Sequence, residues 1–78
     1  MKLRSMSARR MRFMVVFEQG LWYVHEVGTG QPMAAFLTRD EAVTNARYLA
    51  GRTSAELLVM NADGTLSSRE TCELRSSA

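Results

Sequence analysis

The chain has one cysteine, one histidine and one proline among its 78 residues, and these shortages remove whole classes of function. With Cys72 alone, no disulfide forms within the chain, and a reducing cytoplasm is the compartment that such usage predicts. With His25 as the lone imidazole, the four nitrogen and sulfur ligands that a structural zinc needs cannot come from one copy. A Cys–His nucleophile would require those two residues to meet, and nothing near Cys72 in the sequence favours its thiolate. Long apolar runs are also missing. None approaches the roughly 20 residues that span a bilayer, and the charged start leads into no secretory-type apolar stretch. Gly28-x-Gly30 runs into Pro32 and a strand, without the lysine of a phosphate-binding loop. These absences predict a protein that is not an enzyme, holds no cofactor or metal, and has no membrane partner.

Acid is missing from the first 12 residues, where Lys2, Arg4, Arg9, Arg10 and Arg12 give a charge of +5. From residue 13 onward five arginines face eight acids, so the remainder carries −3 and the whole +2. A polyanion would meet attraction mainly at the N-terminal arm. Residues 1–12 lack any sustained apolar period and read as a flexible basic tail, residues 13–70 as one domain, and residues 71–78 as a frayed end. At 46% hydrophobic and 23% charged residues, the composition is that of a folded domain. A chain this short buries only about two-thirds of its unfolded surface, so its core is small.

The most legible stretch is Thr38 to Gly51, TRDEAVTNARYLAG. Thr38 with Glu41 three positions on forms a capping-box pattern, which starts a helix. Asp40 and Glu41 suit its positive end, and Arg47 and Arg52 its negative end. Gly51 is the expected stop, as the residue that most readily turns left-handed. Ala42, Val43, Ala46, Leu49 and Ala50 form a narrow face of mostly small side chains that fits against a flat sheet. Before the helix, residues 13–17, 21–27 and 33–37 read as strands, the first two joined by a three-residue loop at Glu18-Gln19-Gly20. After it, residues 55–60 and 65–70 form a hairpin around Asp63-Gly64. The predicted fold is α+β, an antiparallel sheet in the order β-β-β-α-β-β along the chain, with one helix packed on one face.

Strand parity raises a question of cover. Trp22, Val24 and Glu26 point one way and Leu21, Tyr23, His25 and Val27 the other, so both faces carry large apolar groups. One helix shields one face. A second copy of the chain, packed sheet to sheet or edge to edge, is the expected cover for the other, making a non-enzymatic protein-interaction module that acts as a homodimer through Phe13, Val15, Trp22 and Tyr23. The alternative is a nucleic-acid-binding accessory protein contacting phosphates through Arg9, Arg10, Arg12, Arg39 and Arg47, with an aromatic ring for base stacking.

The succession Trp22-x-Val24, then Phe36-x-Thr38-x-x-Glu41-Ala42, then Ala46-Arg47-x-x-Ala50, and finally Ala55-Glu56-Leu57-x-Val59 with Asp63-Gly64 resembles the small bacterial domain-of-unknown-function family numbered 2188. The likeness spans roughly residues 15–69 and implies strand, cap, helix and turn. Asn61-Ala62 stands where that family commonly has a basic or His-Gly lead into the turn, so no basic turn is carried over. Nor does the resemblance bring any catalytic or ligand residue.

Overall fold

In a computed structural model that describes residues 11–72, the chain builds β1 (Arg12–Glu18), β2 (Leu21–Glu26), β3 (Pro32–Phe36), α1 (Arg39–Thr53), β4 (Glu56–Met60) and β5 (Leu66–Thr71). β1 is the centre of the sheet. It alternates Phe13 and Val15 inward against Met14 and Val16 outward, and it pairs with a strand on each side. The five strands lie in the order β3-β2-β1-β4-β5. The fold is α+β, as the sequence predicts, with α1 against one face of the sheet.

Three local readings need correction. The β1–β2 loop has two residues, not three, because Glu18 pairs with Leu21. Gln19 and Gly20 both take positive φ, 51° and 87°, the backbone of a type I′ turn that matches strand twist. Helix α1 does not stop at Gly51 but runs to Thr53, and Ser54 takes the left-handed turn at φ 56°. What ends it lies downstream: Ala55 must enter the core, while its N–H closes on Ala50 O and the Glu56 N–H on Met11 O. Finally, the sheet is mixed. β4 joins β1 in parallel, Phe13 beside Leu57 and Val15 beside Val59, after the chain has crossed over through α1.

The pairings on either side of β4 also redraw the ends. Arg12, assigned to the tail, is in β1 opposite Glu56. Thr71, assigned to the frayed end, is in β5 opposite the same residue. The Cys72 N–H donates to Ala55 O at 2.9 Å. Arg9, Arg10 and the rest of residues 1–10, with residues 73–78, lie outside the described residues.

The core is thin and one-sided. Phe13, Val15, Val24, Leu57 and Val59 from the sheet meet Ala42, Val43, Ala46 and Ala50 from α1, with Ala55 at the junction. The alanines bring the helix axis close to the sheet, and Trp22, Phe36 and Leu49 close the sides. Thr38 caps the start, its Oγ1 accepting from the Glu41 N–H at 3.2 Å. Two polar contacts moor the helix to β5: Arg39 Nη2 donates to Ser67 Oγ at 3.0 Å, and Arg47 holds Glu70 through Nε at 3.0 Å and Nη2 at 2.8 Å.

Candidate interaction face

Every second residue of the three central strands points away from α1, onto a face with no helix over it. Met14 and Val16 of β1, Tyr23 and His25 of β2, and Leu58 and Met60 of β4 occupy its middle, each partly exposed. The register fixes their neighbours: Met14 lies beside His25 and Leu58, and Val16 beside Tyr23. A soluble antiparallel face left to water normally shows polar residues at such positions. Here the middle is mainly apolar, and the charge stands at the ends.

At one end Glu56 takes Arg12 Nε on Oε1 at 3.2 Å and Arg69 Nε on Oε2 at 3.1 Å, a trio with one excess positive charge. At the other, Glu18 and the Asn61–Gly64 turn supply acid. Asp63 accepts from the Thr65 N–H at 3.0 Å and the Thr65 hydroxyl at 2.7 Å, which holds its carboxyl below the usual carboxylate range. A groove of about 730 Å³ crosses this face, with Met14, Val16 and Met60 along it and the Gly28–Gly30 and Asn61–Gly64 turns at its margins. Its surface is chiefly apolar, with Glu18, His25, Glu26, Thr29, Asn61 and Asp63 as the polar side chains in its lining.

The sequence-predicted interface residues divide. Phe13 and Val15 are fully enclosed beneath α1, so they hold the helix and offer nothing to a partner. Trp22 lies on the same side, packed against that core, with its ring centroid 4.9 Å from that of Phe17. Only Tyr23 of the four is on the uncovered face. Parity alone separates the two sets correctly but cannot say which one the helix covers. Met14, Val16, Leu58 and Met60, which the sequence reading did not name, share that face with Tyr23, and their alternation with the buried set was the available signal.

The described arginines of the nucleic-acid reading have partners within the chain. Arg12 is with Glu56, Arg39 with Ser67, and Arg47 with Glu70. The Arg47 hydrogen bonds lower the Glu70 pKa, and the pairing raises that of Arg47. The three do not converge on one surface: Arg12 belongs to the uncovered face, while Arg39 and Arg47 lie along the seam between α1 and β5.

Cys72 and His25 are on opposite sides of the sheet. Cys72 packs toward the core, where burial first and then the Glu70 charge push its thiol pKa up, away from a nucleophile's range. Among the described residues no three of His, Cys, Asp and Glu come together as a metal set. No helix among them is long and apolar enough to cross a membrane.

The sequence pattern of a family described as "Uncharacterized protein conserved in bacteria (DUF2188)" matches residues 13–72, from the first residue buried under α1 to the residue that closes β5 on Ala55. The chain belongs to DUF2188. No curated protein and no solved structure matches it. The DUF2188 match takes in the whole sheet but Arg12, together with α1, so the uncovered face lies within the span that defines the family. It assigns that face no activity.

Proposed function

We propose that this DUF2188 protein is a non-enzymatic protein-interaction module that works as a homodimer, with the uncovered face of its sheet as the contact surface. The observation that carries this reading is the apolar middle of that face: Met14, Val16, Tyr23, Leu58 and Met60 on three adjacent strands, with charge at its ends. The edges are poorer candidates. β3 is short and opens with Pro32, which lacks a ladder donor, and β5 carries Arg69 and Glu70, the devices by which edges resist pairing.

Size is consistent with a second copy. Five strands about 4.8 Å apart and about 20 Å long present a face of about 480 Å². Two such faces together bury on the order of 1,000 Å², the lower bound for a specific interface, which implies a dimer of modest affinity. An NMR dilution series tests the surface. Resonances of Met14, Val16, Tyr23 and Leu58 should shift with concentration, while Thr44 and Tyr48 on the outer side of α1 stay fixed. Shifts confined to α1 or to a sheet edge would remove the reading.

The nucleic-acid alternative rests on the basic charge of residues 1–12. It requires affinity that falls steeply with salt and flattens when those residues are deleted. Absence of binding at low salt would dispose of it.

A further inference from the structure

The register places Val24, Val15 and Val59 in one row across β2, β1 and β4, all three buried on the helix side. On the uncovered face each strand sets one residue before that row and one after it: Met14 and Val16, Tyr23 and His25, Leu58 and Met60. Farther out on β1 stand Arg12 at one end and Glu18 at the other. Along this face the central strand therefore reads basic, apolar, apolar, acidic. Such a series is complementary to itself when reversed.

We infer that two copies pair face to face about a two-fold axis running across the strands along the valine row, so that β1 lies antiparallel over the partner's β1. This rests on the homodimer reading above and adds its geometry. The axis sets Arg12 over Glu18 of the partner subunit, and the reverse, while Met14 meets Val16 of the partner subunit. The other two-fold direction, along the strands, would lay Arg12 over its own copy and Glu18 over its own copy, and like charges in opposition disfavour it. Nearly aligned strands are also what face-packed sheets adopt.

Cross-linking separates the two axes. Arg12→Cys and Glu18→Cys are made singly in a Cys72→Ser background, and their folding is checked by thermal unfolding. Each is then treated, alone and mixed, with a bis-maleimide that spans the about 10 Å between packed sheets. The two positions are about 20 Å apart along one strand, so the reagent distinguishes them. A two-chain product from the mixture, and not from either variant alone, is the expected result. Products from each variant alone would overturn this axis and leave the homodimer standing. No product, with a dimer still present by sedimentation, would move the contact off this face; no product and no dimer would remove both.

Discussion

At the scale of single residues, Gly51 and Ser54 exchange the roles that their chemistry would assign. Glycine is the cheapest residue in a left-handed turn, yet Gly51 sits inside α1 and Ser54 makes the turn. A Cβ at Gly51 would meet nothing within 4 Å, and its backbone lacks the positive φ that would strain a side chain. Gly51→Ala should therefore stabilise the fold by about 0.5–1 kcal/mol, through helix propensity and a less flexible unfolded chain. Urea unfolding reads this as a higher midpoint at unchanged slope. The misplacement has a physical cause: the stop depends on where Ala55 must be delivered to the core, and no residue within the helix carries that information. Thr38, by contrast, acts as a cap through a contact three residues away, which is why the start was legible and the stop was not.

At the scale of elements, the helix and β5 are joined by the Arg47–Glu70 fork, two residues far apart in sequence. Glu70 has its pKa lowered chiefly by the Arg47 hydrogen bonds. A carboxyl with a depressed folded-state pKa contributes stability that is complete above its unfolded value and is lost as pH falls through the folded one. Stability conferred by the pair should thus hold at pH 7 and drain away as pH falls below the ordinary glutamate range. Both side chains keep considerable solvent access, 56% for Arg47 and 30% for Glu70, so the effect is modest. Glu70→Gln should cost up to about 1 kcal/mol at pH 7 and almost nothing at pH 3. Denaturant curves at the two pH values check it, and an equal loss at both would show that packing, not charge, supplies the link. The strands themselves were legible as short runs of strand-forming residues, and two of the turns from Gly20 and Asp63-Gly64. The parallel β1–β4 pairing was not, since parity is the same whether a neighbour runs parallel or antiparallel. That pairing sets Arg12 opposite Glu56, while the antiparallel β4–β5 pair brings Thr71 into the sheet and Arg69 to the same carboxylate.

At the scale of the whole molecule, one helix on a five-stranded sheet leaves a side uncovered, and its central residues are apolar. The need for cover could be read from Tyr23 and from the doubly apolar first strand. Which residues stay uncovered could not, because Phe13, Val15 and Trp22 look equally suited until α1 is seen to lie over them. The consequence is an asymmetry between neighbouring leucines. Leu57 is buried beneath α1, whereas Leu58 is partly exposed on the other side. On the proposed homodimer, a charge at Leu58 would act on association, and the same change at Leu57 would act on folding. Sedimentation equilibrium of the full chain and of Leu58→Glu, each at tens of micromolar and neutral pH, is the most direct test. A homodimer through the uncovered face requires a two-chain mass for the natural sequence and a folded single-chain mass for the variant; a single-chain mass for both would contradict it.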